Sequence, residues 1–410
     1  MAIIVSRKKV CRTRTWNSRE HRVLGGGCVS KADIFYPEIH CAEYLRRLNR
    51  FVVECRMANE VVEAHLPNPG RMWELLFPGK KMYLAANEGV GKKTRFKVIG
   101  IEREGMPVML DTHYSNHVAE MLIEQKQIPG WEEWSVQARE VTFGNSRIDL
   151  LLGRGAERFV VEVKSCTLFG NEIAMFPDAV TERGRRHISK LVQLADEGYR
   201  AGILFLIQWP RSSWFLPDYH TDLAFSQALY AARDKVEIKA VTLEWRDDFT
   251  LRECVKEALI PWELISREMK DSGNYIVVLR LEQDKSLSIG SKGTIHFPCG
   301  YYLYVGSAKQ HLTKRLERHQ RKRKRFHWHI DYLRQAAEFH AAIAIRTPEP
   351  LEHAIACALG EVADWEIAQF GSSDCNCRTH LFGMQTDPLH TPAFIKVLQY
   401  FRMDRLERQL

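Results

Sequence analysis

The sequence predicts a multi-domain protein in which an all-β unit is followed by two units that combine α-helices and β-strands. In residues 35–112, short apolar runs alternate with turn residues at regular spacing, a pattern typical of a small barrel or sandwich. Between 113 and 265, helical and strand patterns alternate, which predicts an α/β domain with a mixed sheet. After the polar stretch 266–274, two strand patterns and a very basic helix begin a smaller α+β unit.

Composition and charge restrict the classes of protein that this chain can be. It has 410 residues, of which 45% are apolar and 27% charged, as in ordinary globular proteins. The net charge of +8 weakly favours a polyanionic partner. Ten scattered cysteines form no disulfide framework, and no apolar run has the length of a membrane span. We therefore expect a cytoplasmic protein with free thiols.

The first thirty residues differ from the rest in being basic, interrupted by glycines and without periodicity. They lack the apolar core of a secretory signal. We interpret residues 1–30 as a disordered tail, with an arm that touches nucleic acid as the alternative.

The first folded domain, residues 31–112, is predicted to be an OB-like β-barrel, because five strands suit that fold. The predicted strands span 50–57, 60–66, 80–86, 94–102 and 106–111. Two of the connecting segments, "PNPGR" (67–71) and "NEGVGKK" (87–93), carry or adjoin cations. These segments are either plain turns of the barrel or phosphate contacts that give salt-sensitive affinity. The candidate nucleic-acid-binding residues are Arg71, Lys92, Lys93 and Arg95.

The second domain, residues 113–265, is predicted from a regular alternation of elements. A helix with a serine cap spans 115–128, and "AGILFLIQW" (201–209) has the continuous apolar character of a central strand covered on both faces. The other predicted elements are strands 135–143, 146–153, 158–165 and 236–245 and helices 181–198 and 221–234.

A carboxylate and an ammonium group interrupt the apolar strand "RFVVEVKS" (158–165). Glu162 and Lys164 are two residues apart, so their side chains lie on the same face of the strand. An exposed ion pair is one interpretation. However, a hairpin would bring Asp149 of the preceding strand beside Glu162, and two converging carboxylates repel each other unless a cation lies between them. Mg²⁺ (or Mn²⁺) takes oxygen ligands of this kind.

Further groups around these three residues suit phosphoryl transfer. Lys164 would stand beside the metal ion, where it would orient an attacking water or stabilise charge on a phosphate. Arg183, Arg185 and Arg186 in the following helix would hold a polyanion against the metal.

The spacing Asp–x₁₂–Glu–x–Lys resembles the PD-(D/E)XK nuclease signature, and its surroundings resemble the sugar fermentation stimulation protein A family. The resemblance covers residues 35–265, with specific matches at "VEVKSCTL" (161–168) and "FPDAVTERGRRH" (176–187). It implies an OB-like domain followed by a PD-(D/E)XK nuclease domain that binds nucleic acid. It also implies that Asp149 and Glu162 are metal ligands and that Lys164 is the active-site lysine. Glu120 would be a further acidic ligand, although an exposed helix glutamate is the alternative.

The third domain, residues 275–410, combines a tyrosine-rich strand with a block of cations. Tyr302 and Tyr304 share one face of "GYYLYVGSA" (300–308), and a turn then leads into a basic helix predicted over 311–325. Such a block makes nucleic acid a natural partner, with a solvated surface as the alternative. The candidate binding residues at its end are Arg321, Lys322, Arg323, Lys324 and Arg325.

This third domain resembles one branch of the GIY-YIG nuclease superfamily, a domain of uncertain function, over residues 273–385. "GNY" (273–275) and "YVG" (304–306) match the two half-motifs, and the match continues through "HWHIDYL" and "GSSDCNCRTHLF". The resemblance implies that Tyr275, Tyr304 and Arg315 are catalytic and that Glu352 binds a metal ion. Ser307 and His319 depart from the usual lysine and tyrosine, so binding without cleavage is an equal alternative.

Cys375, Cys377 and His380 allow a zinc site, but structural zinc usually has four ligands, so we do not favour it. Together these patterns predict a metal-dependent DNA or RNA nuclease, acting as an endo- or exonuclease. The alternative is a non-catalytic DNA-binding regulator of sugar metabolism, which the name of the family suggests. The presence of Asp149, Glu162 and Lys164 together favours the enzyme, because a pure binding protein does not need them.

Overall fold

The structure is a computed structural model that describes residues 36–87, 91–252, 255–371 and 377–410. The tail predicted at 1–30 lies outside these residues. The described chain forms two compact units. The first unit contains residues 36–69, 78–112 and 245–251, and the second contains 70–77, 113–244 and 252–410. In the described part of the chain, no helix is long and apolar enough to cross a membrane.

The first unit is the predicted OB-like barrel. Its strands are β1 (His40–Asn49), β2 (Val52–Met57), β3 (Glu60–His65), β4 (Lys81–Ala86), β5 (Phe96–Arg103) and β6 (Met106–Met109). They pair in the order β3-β2-β1-β4-β5-β6, and an additional pairing of β3 with β5 closes the barrel. Strand β1 was not predicted, because the charged residues Glu43, Arg46 and Arg47 obscure the alternation of the buried Ala42 and Tyr44. Five strands close the barrel, and β6 extends it beside β5.

The barrel core is filled by the inward residues of successive strands, including Val53, Leu84 and Val98, which are fully buried. Segment 245–251 contributes Phe249, whose ring lies where a Cβ on Gly100 would be, 2.3 Å from the nearest ring carbon. Glycine at position 100 therefore makes room for this ring in the barrel.

The second unit begins with the predicted α/β elements. Its strands are β7 (Ser135–Phe143), β8 (Ser146–Arg154), β9 (Glu157–Cys166), β10 (Leu168–Phe169), β11 (Ile173–Phe176), β12 (Arg200–Ile207), β13 (Trp214–Pro217), β14 (Glu237–Thr242) and β15 (Lys256–Glu257). Its helices are α1 (Ser115–Glu124), α2 (Glu182–Asp196), α3 (Leu223–Ala232) and α4 (Trp262–Glu268).

These elements form the mixed sheet that the sequence predicts. Its order is β15-β14-β12-β9-β8-β7, with β9, β12 and β14 parallel and the hairpins β7–β8 and β8–β9 antiparallel. Strand β12 is the central apolar strand, because every residue from Ala201 to Ile207 is buried. Strands β10, β11 and β13 form a separate, three-stranded sheet.

The remaining elements form the third predicted domain within the same unit. Its strands are β16 (Gly273–Leu281), β17 (Lys285–Ser288), β18 (Thr294–Phe297), β19 (Gly300–Ala308), β20 (Glu338–Arg346), β21 (Trp365–Glu366) and β22 (Leu381–Met384). Its helices are α5 (Leu312–Gln320), α6 (His329–Ala336), α7 (Glu352–Val362) and α8 (Pro392–Arg402). A 3₁₀ helix, Asp404–Gln409, follows α8.

An antiparallel sheet in the order β20-β16-β19-β22-β21 has helices on both faces. Tyr275 and Tyr304 pack with residues of α5 and α6 on one face, whereas Ile276 and Val305 pack with α7 and α8 on the other. Because side chains alternate along β16 and β19, the two half-motif tyrosines lie on one face of the sheet and the second apolar core lies on the other.

The α/β domain and the C-terminal domain share a core. Met403 and Leu406 pack with Leu168, Leu216 and Ile265 in one buried cluster. This shared core explains why the two sequence-defined domains form a single compact unit.

The structure differs from the exposed linker expected at 266–274. These residues contain the end of α4 and the start of β16, and Glu268 is fully buried in an ion pair with Arg405. Asp271 accepts hydrogen bonds from the backbone N–H and hydroxyl of Thr313 at the start of α5, at 2.9 and 2.6 Å. A polar sequence was expected to indicate solvent exposure, but here Glu268 is paired inside the protein and Asp271 is partly buried, while Arg267 and Lys270 are exposed.

Candidate active site on the mixed sheet

The β8–β9 hairpin brings Asp149, Glu162 and Lys164 together, as the sequence predicts. Asp149 in β8 accepts a hydrogen bond from the backbone N–H of Val163 at 2.9 Å, so its carboxylate lies directly against β9. Lys164 donates to Oε1 of Glu162 from two residues further along the same face. Three of the predicted residues therefore form one cluster beside a central strand.

Glu162 is the most enclosed member of this cluster, with only 1% of its surface exposed. Its Oε1 also contacts Nδ1 of His187 on α2, whereas its buried Oε2 has no hydrogen-bond partner within the described chain. A buried carboxylate oxygen without a partner is costly, since burial removes its water. This oxygen therefore indicates a position for a group that the protein itself does not provide.

The two carboxylates respond differently to their surroundings. Burial and the nearby charge of Glu162 raise the pKa of Asp149 above its ordinary value. Burial alone would raise the pKa of Glu162 too, but the hydrogen bond from His187 and the charge of Lys164 hold it below its ordinary value. The repulsion that raises the pKa of Asp149 is what a cation between the carboxylates would relieve.

Asn116 and His187 both contact the cluster, and the sequence did not predict either contact. Asn116 on α1 donates to Oδ1 of Asp149 at 3.0 Å. His187 was considered only among the cations of its helix. However, it continues the buried stripe of Gly184, Ile188 and Leu191, and that helical spacing is a signal that points it towards the sheet.

Glu120, the predicted further metal ligand, has other partners. It forms an ion pair with Arg139 of β7 and lies 3.8 Å from Nδ1 of His117. Asn116, one helical turn earlier, is the residue of α1 that reaches Asp149. In the structure the charge of Glu120 is thus balanced by Arg139, and its role as a further metal ligand stays a prediction.

The cluster fits a hard divalent cation in the type of its donors. Asp149 and Glu162 supply carboxylate oxygens, which Mg²⁺ and Mn²⁺ prefer, and Oε2 of Glu162 has no other partner in the described chain. Within residues 36–87, 91–252, 255–371 and 377–410, no cluster of three acidic, histidine or cysteine side chains is arranged as a ready-made metal cage. Mg²⁺ commonly binds through one or two carboxylates, so two fit it.

The arginines of α2 lie in different environments. Arg185 donates to Oδ1 of Asp222 at 3.0 Å, and Arg183 donates to His187 at 3.3 Å. Arg186 is exposed and lines an open groove of about 500 Å³ together with Ser146 and Lys190. Arg186 is therefore best placed of the three to meet an external phosphate.

Arg71, predicted to bind phosphate from the barrel, belongs to the second unit instead. Its guanidinium lies 4.9 Å from the ring centroid of Trp73, and burial lowers its pKa despite the nearby charge of Asp178. Arg71 is thus outside the barrel, because residues 70–77 belong to the second unit, and its contact with phosphate stays a prediction. Lys92, Lys93 and Arg95 are exposed in the loop before β5.

The C-terminal domain brings its four predicted site residues into one region. Tyr275 in β16 and Tyr304 in β19 have ring centroids 6.5 Å apart. Burial raises the pKa of Tyr275 to about 12, although the charge of Arg315 opposes this shift. Arg315 on α5 donates to the backbone carbonyl of Ser307 at 3.0 Å. The hydroxyl of Ser307 donates to Glu352 on α7, which completes the group.

Two histidines also belong to this second cluster. Nε2 of His319 lies 3.1 Å from the hydroxyl of Tyr275, and Nδ1 of His380 lies 3.2 Å from Glu352. Burial and the nearby charge of Lys324 lower the pKa of His319 to about 3. His319 is therefore a neutral partner of the tyrosine at ordinary pH.

The described residues of the candidate zinc site contact different side chains. Cys375 is outside the described residues, Cys377 lies 2.7 Å from Nδ1 of His353, and His380 pairs with Glu352. Cys377 and His380 therefore have different partners in the structure.

The basic block does not continue the helix, since α5 ends at Gln320. Arg321, Lys322, Arg323 and Arg325 are exposed. Lys324 is different: its side chain is 6% exposed, and its Nζ lies 2.8 Å from the buried Asp331. This internal ion pair occupies the ammonium group of Lys324, so its predicted contact with nucleic acid is less favoured than that of its exposed neighbours and stays a prediction.

Three family models match separate parts of the chain. The "SfsA N-terminal OB domain" matches residues 45–110, the "Sugar fermentation stimulation protein RE domain" matches 113–249, and "Domain of unknown function DUF123" matches 274–403. The third match covers the part of the chain that resembles the GIY-YIG superfamily.

Relatives confirm the first two matches. A sugar fermentation stimulation protein homologue from Clostridium tetani is 36% identical over 229 residues, which are 55% of this chain and 100% of that protein. A homologue from Methanothermobacter thermautotrophicus is 39% identical over 191 residues, which are 47% of this chain and 80% of that protein. The solved structure of Pyrococcus furiosus SfsA in complex with Ca²⁺ is 32% identical, with a TM-score of 0.51, and the match covers 55% of this chain and 97% of that one.

Proposed function

The chain belongs to the sugar fermentation stimulation protein family, and from this premise we propose that it is a divalent-metal-dependent nucleic-acid phosphodiesterase. The cluster of Asp149, Glu162 and Lys164 is its catalytic site. Mg²⁺ or Mn²⁺ is its cofactor, and DNA or RNA is its substrate.

One observation is the main support for the proposal: the buried carboxylate of Glu162, the partly buried carboxylate of Asp149 and an ammonium group converge beside a central strand, and Oε2 of Glu162 has no partner in the described chain. A protein that only binds nucleic acid gains nothing from burying mutually repelling carboxylates, because burial without a partner destabilises the fold. The Ca²⁺ complex of the Pyrococcus furiosus relative, another hard oxygen-ligated cation, supports the same type of site.

Each residue of the cluster has a role in this proposal. Asp149 and Glu162 would hold the cation, and Asn116 fixes the orientation of Asp149 through its hydrogen bond. The bound cation supplies Lewis-acid stabilisation of charge on the phosphate. Lys164 places a positive charge next to both carboxylates, where it holds a water molecule or a phosphate oxygen.

Positive side chains in each of the two units would bind the phosphate backbone. Arg186 and Lys190 line the groove on α2, and the exposed loop before β5 adds Lys92, Lys93 and Arg95. Such contacts give affinity that depends strongly on salt and little on sequence.

The C-terminal domain is a second candidate site, because Tyr275, Tyr304, Arg315 and Glu352 occupy one region of it. We propose that this domain binds the same nucleic acid. Cleavage there would use the tyrosine hydroxyls, so Tyr304→Phe would stop it while barely changing binding.

The experiment that tests the proposed function is incubation of the full chain with labelled single- and double-stranded DNA and RNA. Each substrate is tested with Mg²⁺, with Mn²⁺ and with EDTA, beside the Glu162→Gln variant purified identically. We expect cleavage that needs the metal and is lost in the variant. Binding without cleavage under every metal condition would instead support the non-catalytic regulator.

A further inference from the structure

Arg183 and His187 connect the first turns of α2 to the carboxylate of Glu162. They are four residues apart, so their side chains lie on the same face of the helix. Nε of Arg183 donates a hydrogen bond to Nε2 of His187 at 3.3 Å, and Nδ1 of His187 contacts Oε1 of Glu162. The imidazole and this carboxylate are both buried, so water competes little for the contact between them. The three side chains therefore form a continuous chain of hydrogen bonds.

The two partners of His187 determine which ring nitrogen carries the proton. A guanidinium has N–H donors and no acceptor, so Nε2 of His187 accepts from Arg183 with its lone pair. An ionised carboxylate only accepts hydrogen bonds, so Nδ1 carries the proton and donates it to Glu162. His187 is thus held as the Nδ1–H tautomer by one partner on each side of its ring.

Both side chains that donate to Glu162 do so at the same oxygen. Nδ1 of His187 and Nζ of Lys164 contact Oε1, whereas the buried Oε2 has no hydrogen-bond partner in the described chain. A carboxylate that is held through one oxygen presents the other in a fixed direction, which is how hydrogen-bond partners orient metal ligands. Each ring nitrogen of His187 already has a partner, so His187 is not itself a ligand in this arrangement.

The first turn of α2 is anchored, which keeps His187 against the sheet. The hydroxyl of Thr181 accepts from the N–H of Gly184 at 3.0 Å, and the N–H of Thr181 donates to the carboxylate of Asp222 at 2.8 Å. A Cβ on Gly184 would lie 3.0 Å from a ring carbon of Phe225, so glycine allows α2 to pack closely on α3. Three residues after this glycine, the imidazole of His187 therefore reaches β9 from a fixed position.

We infer that Arg183 and His187 are positioning residues of the metal site: Arg183 holds the imidazole through Nε2, and His187 orients Glu162 through Oε1 so that Oε2 is presented to the cation. The inference deepens the proposed function, on which it rests. It assigns Arg183 a role besides the phosphate contact that the sequence predicts. Both residues act through Glu162 and contact neither the phosphate nor the metal ion in this role.

The first measurement is long-range proton–nitrogen NMR of the full chain, labelled with nitrogen-15 in its histidines and free of metal. The signals of His187 are those that disappear in His187→Gln. They should show a protonated Nδ1 and an unprotonated Nε2 in wild type, because Glu162 accepts from the first and Arg183 donates to the second. This measurement needs neither a metal ion nor activity, so it tests the arrangement of the side chains by itself.

The second measurement is the affinity for Mn²⁺ without nucleic acid, from the paramagnetic resonance signal of the free ion. His187→Gln should weaken binding about 10-fold, because its amide lies one carbon too far out to replace Nδ1. His187→Asn carries an amide nitrogen where Nδ1 branches, so it should restore most of the affinity. Arg183→Ala should weaken binding in wild type but not in His187→Gln, since Arg183 acts through His187.

Arg158→Ala, which removes an exposed cation of β9, is the control and should leave Mn²⁺ affinity unchanged. Circular dichroism melting confirms that each variant is folded. A proton on Nε2 of His187, equal losses in the Asn and Gln variants, or an effect of Arg183→Ala that persists in His187→Gln would overturn the inference. If these occur while wild type binds Mn²⁺, the proposed metal site survives. Wild type that shows the expected tautomer but binds no Mn²⁺ would instead overturn the proposed metal site, and the orienting role with it.

Discussion

Arg402 donates two hydrogen bonds to Asp218, at 2.8 Å to Oδ1 and 2.9 Å to Oδ2, and both side chains are buried. Asp218 belongs to the α/β domain, whereas Arg402 ends helix α8 of the C-terminal domain. The two domains are thus joined by a buried ion pair as well as by an apolar core.

Arg402→Ala should destabilise the second unit by about 3–5 kcal/mol, because it leaves the carboxylate of Asp218 buried without its charge partner. The midpoint of thermal unfolding, followed by circular dichroism, measures the change. Arg408→Ala, at an exposed position in the same C-terminal segment, is the control and should shift the midpoint by less than a degree or two. Equal midpoints for both variants would show that the pair does not stabilise the junction.

Lys164→Ala should abolish metal-dependent cleavage while leaving nucleic-acid affinity within a few-fold of wild type. The reason is that one cation among many contributes little to phosphate binding, whereas this one lies beside the carboxylates proposed to hold the metal ion. Arg158→Ala, an exposed cation on the same strand, should cleave normally. Full activity of the Lys164 variant, in a preparation free of contaminating nuclease, would refute the assignment.

Asn116→Ala should raise the Mg²⁺ concentration needed for half-maximal cleavage about 10-fold, since Asp149 loses the side chain that orients it. Excess Mg²⁺ should restore most of the rate. Glu120→Gln should leave this concentration within twofold of wild type, because Glu120 pairs with Arg139 rather than with Asp149. If instead the Glu120 variant has the larger effect, the original prediction of a metal ligand at Glu120 is correct.

His319→Gln should change how stability depends on pH. The folded state holds the pKa of His319 at about 3, below the ordinary value of about 6.5. Below pH 6.5 the unfolded chain therefore binds this proton more readily, and stability is lost as pH falls from about 6.5 towards 3, at up to about 1.4 kcal/mol per pH unit. Glutamine does not titrate, so the melting point of the variant should fall less than that of wild type between pH 7.5 and 4.5.

The control for this pH dependence is His296→Gln, at an exposed position. Its melting points should follow those of wild type at every pH. A His319 variant that loses stability in acid just as wild type does would contradict the burial of a neutral imidazole beside Tyr275.

Replacement of Arg321, Lys322, Arg323 and Arg325 by Gln should weaken nucleic-acid binding by the full chain and flatten its salt dependence. Each lost phosphate contact lowers the slope of log affinity against log salt by about 0.7–0.9. Lys324→Gln should leave that slope unchanged and lower the melting point instead, because Lys324 pairs with the buried Asp331. A Lys324 variant that changes only the salt slope would contradict the internal ion pair.

The sequence predicted contacts within one hairpin better than contacts between distant elements. Asp149, Glu162 and Lys164 followed from strand alternation and a short loop, which local spacing determines. The approach of Asn116 and His187 to the same carboxylates depends on how two helices pack on the sheet, and spacing alone does not give that.

Polar segments were the main source of error in the predicted fold. Strand β1 and the segment 266–274 both contain charged residues that the sequence pattern associates with surface loops. In the structure, Glu268 and Arg405 neutralise each other inside the protein, so their charges do not indicate exposure. Lys324 is a third case, since its partner Asp331 is not apparent from the basic run around it.

The core that Met403 and Leu406 share with Leu168 and Leu216 has a consequence for biosynthesis. Asp404 accepts a hydrogen bond from the backbone of Asn171, which lies 233 positions earlier in the chain. A ribosome therefore releases strand β9 long before it adds the residues that complete this core. The buried cluster that the two domains share becomes complete only when residues up to Leu406 have been translated.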